Sequence, residues 1–186
     1  MKYYRLIHKE SEEDLVLIND YNLEGLDLRN LWRGEIISEW NDSIKLYYEK
    51  GGLKLDYVPN VLSWLICSDK LVSVFDKLDV KNIQVFPVIL SNKKNTSEQL
   101  GYNVVNIISS VSALNWERSE YVTWDDDPNA IKFIRKLVMN SSCLNENLDI
   151  FLLAEGVAYI IVSEKLKVAL EENNITGIDF VPIECV

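Results

Sequence analysis

The residues able to do chemistry are few. His8 is the one histidine, Asp125-Asp126-Asp127 is a run of three carboxylates, and Cys67, Cys143 and Cys185 are the only thiols. Carboxylates suit hard cations such as magnesium or calcium. Three in succession project in different directions, whereas metal loops space their ligands. The run therefore reads first as a solvated turn closed by Pro128. A Ser/His/Asp or Cys/His nucleophile would have to recruit His8 from the first strand, and triads are recognised by geometry rather than by sequence. The cysteines show no CxxC spacing, and neither GxxxxGK[ST] nor GxGxxG occurs. No catalytic residue, cofactor or metal is expected.

The 19 Lys and Arg against 29 Asp and Glu leave a net charge of −10. That opposes phosphate backbones and anionic membranes, which both need basic charge. It permits a basic protein partner, which an opposite field would steer. The opening MKYYRLIHKE holds no apolar run of signal-peptide length, and Glu155-Gly156 breaks the stretch Phe151 to Val162. An odd number of thiols without a signal peptide reads as reduced and cytoplasmic. With 48% hydrophobic residues the chain can build a substantial core.

Which elements must position these residues? Tyr3 to Ile7 alternates like a strand, and Glu10 to Asp14 is an acidic, solvated stretch. Ile44 to Val58 reads as a hairpin about Gly51-Gly52. Leu65 to Cys67 is a short strand, Ser68 can cap a helix, and Leu71, Val74, Phe75 and Leu78 form its apolar face. Ile83 to Leu90 returns to strand, and Pro87 belongs at an exit, bulge or edge. Gly101 to Ile108 is a further strand. Asp149 to Leu153 and Val157 to Val162 look like a hairpin about Ala154-Glu155-Gly156. Asp127 can cap a helix with Pro128 at its first position, where Ile131, Ile134 and Val138 would share a face. Lys136 to Met139 would equally serve as a strand.

The block Trp64 to Val88 returns as Tyr159 to Ile183. Ser68 and Ser163 stand 95 residues apart, as do Pro87 and Pro182. Ile66, Lys70, Leu71 and Ile83 are identical to Ile161, Lys165, Leu166 and Ile178. In the second copy Leu166, Ala169 and Leu170 form the helical face, and Asn173-Asn174 ends it. The expected fold is α+β, with two related strand–helix–strand units on antiparallel or mixed sheet. Residues 1–100 would hold the first copy and 101–186 the second, as two halves or as one compact domain.

The segments YNVVNII, WERSEY, IKFIRKLVM, LDIF, VSEKLKVAL and ITGIDFVPI, between Tyr102 and Ile183, resemble the immunity protein eleven family of bacterial polymorphic toxin systems. Gly34 to Trp40 and Asp56 to Asn60 look like the family's first half. The resemblance implies a cytoplasmic protein that protects its producer by binding a toxin, typically one encoded beside it. It carries over no catalytic residues.

Under that reading the chain neutralises a cognate toxin, a nuclease being one basic candidate, without catalysis. The alternatives are a small enzyme that reverses a toxin's modification, with Asp125 to Asp127 holding a metal, and a general interaction module. Interfaces favour aromatic anchors beside polar rims. The expected toxin-binding residues are therefore Trp116, Glu117, Glu120, Tyr121, Trp124, Asp125, Asp126 and Asp127. The competing reading is that Trp116 and Trp124 complete the core. Self-association is left open.

Overall fold

Each capping serine ends a strand and starts a helix. Ser68 Oγ accepts the backbone N–H of Leu71 at 3.2 Å, and Ser163 Oγ that of Leu166 at 3.1 Å. These contacts come from a computed structural model, which describes residues 2–9, 15–22, 30–52, 54–127, 130–144, 147–156 and 159–186. The acidic stretch 10–14 and Pro128 lie outside the described residues.

Along the chain run β1 (Tyr3–His8), β2 (Asp20–Asn22), the single-turn helix α1 (Asn30–Arg33) and β3 (Lys45–Tyr48). The first repeat follows as β4 (Leu65–Ser68), α2 (Asp69–Lys77) and β5 (Ile83–Asn92). Next come β6 (Glu98–Ile107), β7 (Ser110–Val111), β8 (Glu120–Thr123), β9 (Ile131–Lys136) and β10 (Val138–Met139). After β11 (Ile150–Leu153) the second repeat is β12 (Ile160–Ser163), α3 (Glu164–Glu172) and β13 (Ile178–Cys185). The fold is a sheet-dominated α+β arrangement. One sheet has the order β2-β3-β5-β6-β4, another β10-β13-β1-β12-β11-β7, and β8-β9 form a separate two-stranded ribbon.

The two strand–helix–strand copies share secondary structure and register. In the first sheet Tyr102 of β6 pairs with Ser68 on one side and Val88 on the other. In the second, Tyr3 of β1 pairs with Ser163 and Ile183. Every partner is displaced by the same 95 residues as the serines. Strand β1 thus does for the second sheet what β6 does for the first, although it comes from the opposite end of the chain. The likeness reaches further back. Ser68 Oγ donates to Asp56 Oδ1 at 2.6 Å and Ser163 Oγ to Asp149 Oδ1 at 2.7 Å. Lys70 and Lys165 reach the other oxygen of the same aspartates at 3.2 and 2.6 Å. Asp79 and Asn174, the matching residues after each helix, both take φ in the left-handed region, at 58° and 50°.

Strand alternation sorts the core. Leu65, Cys67, Ile160 and Val162 join Leu71, Phe75, Leu166 and Leu170 in one shared central cluster. Trp64 and Ile66 face a second cluster on the outer side of the first sheet. Tyr159 and Ile161, their counterparts, face a third with Tyr3 and Phe151. Strand pairing also crosses residue 100, since β1 lies between β12 and β13 and β6 between β4 and β5.

Two expectations need correction. The hairpin about Gly51-Gly52 does not form: β3 pairs with β2 and β5, and Tyr57 bridges to Cys67 at the side of β4. Gly51 (φ 99°) instead lies against another segment, where a Cβ would meet the Leu15 carbonyl at 2.1 Å. The helix over Ile131, Ile134 and Val138 is also absent. Ile131–Lys136 is a strand and Val138 begins the next one, so Asp127 caps no helix. The open choice at Lys136 to Met139 resolves as strand. Val157 and its neighbour lie outside the described residues, but β11 and β12 do pair antiparallel.

Candidate functional site

The β8–β9 ribbon explains why a helical spacing appeared in a strand. Thr123 pairs with Ile131 and Val122 with Phe133; then Tyr121 pairs with Ile134 and Glu120 with Lys136. The register shifts twice, and Lys132 and Arg135 are the extra residues. Two bulges in six residues place Ile131 and Ile134 three apart while both partly or fully leave solvent. Bulges re-aim side chains, and here both extra residues are cations. Lys132 Nζ lies 4.9 Å from the centroid of the Trp124 ring, and the Arg135 guanidinium 5.5 Å from that of Phe133.

The predicted residues divide over this ribbon. Trp116, Glu117, Glu120, Trp124, Asp125, Asp126 and Asp127 are exposed, and Tyr121 is half-buried. Trp116 and Trp124 show 46% and 49% of their surfaces, so neither completes the core. Trp116 meets Tyr121 edge-on, with ring centroids 5.2 Å apart. Asn115 sets that turn by accepting from the Arg118 N–H through its side chain and from the Ser119 N–H through its carbonyl. Buried Ser119 then ties the turn to Val138 by two hydrogen bonds of 3.0 and 3.1 Å. Trp124 sits at the far end of β8, about 10 Å from Tyr121 along the strand. It is held there by its N–H to the Ala130 carbonyl, at 3.1 Å. The three aspartates form the adjoining bend.

Trp124 also forms one wall of a cleft of about 610 Å³, lined by Trp32, Arg33, Glu35, Ile131 and Glu155 among others. Trp32 is braced by its indole N–H to the Leu62 carbonyl at 3.1 Å. One oxygen of Glu155 accepts from Ser112 Oγ and the Leu114 N–H, while Oε2 is buried with no hydrogen-bond partner. Sequence reasoning missed this contribution from α1 and the β11–β12 turn. It also missed the four cations interleaved with the five acids: Arg118, Lys132, Arg135 and Lys136. The IKFIRK string was the available signal for three of them. Arg118 and Lys136 both engage Glu184, at 2.6 and 3.2 Å.

His8 stands apart from this surface. It stacks on Tyr57 with ring centroids 3.7 Å apart, and its Nδ1 is buried without a hydrogen-bond partner. Burial lowers its pKa to about 4, against the opposing influence of the Gly177 backbone. Burial raises the Cys67 thiol well above its ordinary range, which leaves it a packed, unreactive group. Among the described residues no group of three or more His, Cys, Asp or Glu is placed to hold a metal ion.

The doubly bulged ribbon thus presents an exposed aromatic, mixed-charge surface. A model of the immunity protein family, Imm11, matches residues 5–185. The chain belongs to that family. An immunity role follows for this Imm11 protein, and the family relationship spans both sheets as well as the ribbon. No curated protein matches the chain. Among the described residues of the Imm11 chain, no helix is long and apolar enough to cross a membrane.

Proposed function

We propose that this chain neutralises a cognate bacterial toxin inside the producing cell by binding it, with no catalytic step. The β8–β9 ribbon and the cleft beside it form the contact surface. The observation that carries the reading is the exposure of Trp116 and Trp124 on a bulged ribbon of an Imm11 protein. Exposed aromatics held in place by backbone hydrogen bonds are low-entropy anchors. The acids around them form a polar rim, and Asp125, Asp126 and Asp127 lie at an exposed bend of it. A toxin with a basic face, a nuclease for example, is drawn in by the net charge of −10. Lys132 and Arg135 make the surface selective, since they reject a uniformly basic patch and accept one with acceptors opposite the bulges. Both sheets work as one folding unit, because they share the central cluster.

The test is a binding titration against the toxin encoded beside this gene. Changing Asp125, Asp126 and Asp127 together to Asn should slow association and remove much of its salt dependence. Unchanged association at low salt places the interface elsewhere.

A further inference from the structure

One difference between the matched sheets lies beside β5 and β13. In the first sheet, β3 begins to pair with β5 only at Ile89. The open side of β5 before that point is covered by the chain leading into β3. The Ile37 N–H donates to Gln84 Oε1 at 2.8 Å, and Gln84 Nε2 returns to the Ile37 carbonyl at 3.0 Å. Trp40 stacks on Phe86 with centroids 4.6 Å apart, and its indole N–H reaches the Pro87 carbonyl at 3.0 Å. The strap is acidic and aromatic, reading EIISEWND from Glu35 to Asp42.

In the second sheet, β10 begins to pair with β13 at Glu184, the position that matches Ile89. Val181 and Pro182 match Phe86 and Pro87. The chain leading into β10 is β9, but β9 is engaged by β8 instead. No described residue pairs with the open side of β13 before Glu184. The Phe180 N–H is bonded by the neighbouring Asp179 carboxylate at 2.7 Å. Val181 remains 45% exposed. A cleft of about 220 Å³ lies between β9 and β13, lined by Arg5, Arg135, Lys136, Tyr159, Val181 and Pro182.

We infer that this cleft is the second repeat's strap site, open to an extended acidic segment of the partner protein that carries a tryptophan. The first repeat shows the occupant's chemistry: an aromatic ring over the residue that matches Val181 and its N–H on the carbonyl that matches Pro182, whereas Gln84, whose amide holds the strap backbone there, is replaced by Asp179. Charge agrees, since Arg5, Arg135 and Lys136 face one carboxylate, Glu184, which is already paired with Arg118 and Lys136. Strand-edge docking with a side-chain pocket is an established way to bind a peptide. The inference rests on the toxin-binding reading only for the source of the segment.

The first experiment needs no toxin. A synthetic peptide of sequence EIISEWND is titrated into the isotopically labelled full chain and followed by NMR. Saturable shifts at Arg5, Arg135 and 180–184 are expected. Replacing the peptide's Trp by Ala, or using Val181→Asp or Arg135→Glu protein, should weaken binding at least tenfold. Absence of shifts along β13, equal binding of the Ala peptide, or shifts confined to Gln84–Pro87 overturns the inference. So does a concentration-dependent dimer that blocks the site, which would make a second copy's strap the occupant. The second experiment measures toxin affinity of the Val181→Asp protein, because Arg135 also lies on the ribbon. Intact toxin binding removes the groove as a toxin contact and leaves the toxin-binding reading standing. Peptide binding at β13 with no toxin binding by the parent chain removes the toxin reading instead.

Discussion

Tyr3 and Tyr102 occupy the same position in two matched sheets. Each lies opposite the serine that caps its unit's helix and the residue just after its unit's proline. The strand after Pro87 is supplied by the next stretch of chain, whereas the strand after Pro182 is supplied by the chain's beginning. Because Tyr3 pairs with Ile183, the two ends run side by side as a hairpin without its turn. A circular permutant that joins Val186 to Lys2 by a short Gly/Ser linker, and opens the β5–β6 turn at 93–97, should therefore fold. Its circular dichroism and melting transition should resemble the parent's. Deleting residues 2–8 should abolish cooperative unfolding of the entire chain, since the central cluster includes Leu6. A stable remnant with a single sharp transition would show that the sheets fold independently.

The two capping serines should be similar in worth. Ser68→Ala and Ser163→Ala each remove a helix cap and a hydrogen bond to an aspartate. Each should cost about 1–2 kcal/mol in urea unfolding. Asp56→Asn should cost more than Asp149→Asn. Asp56 also accepts the N–H and hydroxyl of Thr176, both at 2.9 Å, and so ties the first unit to the second. Equal costs for the two aspartates would contradict that assignment.

His8 predicts an acid-side loss of stability. Its folded pKa, about 4, lies below the ordinary value of 6.5, so the folded state resists protonation. The contribution is fully present above pH 6.5 and declines as pH falls from 6.5 towards 4. A His8→Gln variant should flatten the stability profile across that window. Asp56 acts at lower pH. Burial pushes its carboxyl up, but hydrogen bonds from Ser68, the Thr176 backbone and hydroxyl, and Lys70 outweigh burial and hold it below 3.8. Its stabilisation is present above that value and lost as pH falls below it. A parent-like slope between pH 6.5 and 4 in His8→Gln would refute the first assignment.

Gly177 offers a sharper steric test. Its φ is 83°, and a Cβ would lie 2.4 Å from the Tyr57 carbonyl, across the boundary between the units. Gly177→Ala should destabilise by about 2 kcal/mol or more, through strain and through separation of the units. A parent-like melting temperature would mean that this approach is not close.

Much of the fold was legible in residues alone. Ser68 with Ser163, and Pro87 with Pro182, announced the repeat because cap and open-edge positions constrain residue type strongly. The role of β1 was not legible, since which strand completes a sheet depends on long-range pairing that a short alternating run cannot specify. The ribbon misled for a local reason: two bulges gave Ile131 and Ile134 a helical spacing. Gly51-Gly52 misled because the same residue type that permits a turn also permits close backbone approach. At the site, the polar neighbours of Trp116 and Trp124 left exposure and burial in the core both open, and the folded chain exposes both. Trp32 and Glu155 carried no signal, because only the folded chain brings α1 and the β11–β12 turn beside Trp124.

The central claim, neutralisation by binding alone, is tested most directly by the stoichiometry of protection. A purified cognate toxin is assayed while the chain is titrated in, with Trp124→Ala protein in parallel. Activity should fall linearly to zero at one equivalent, and recover when the complex is dissociated. Trp124→Ala should weaken binding about tenfold or more, the loss expected of an aromatic anchor. Full protection at a small fraction of an equivalent, persisting after the chain is removed, would mean turnover and would contradict the account.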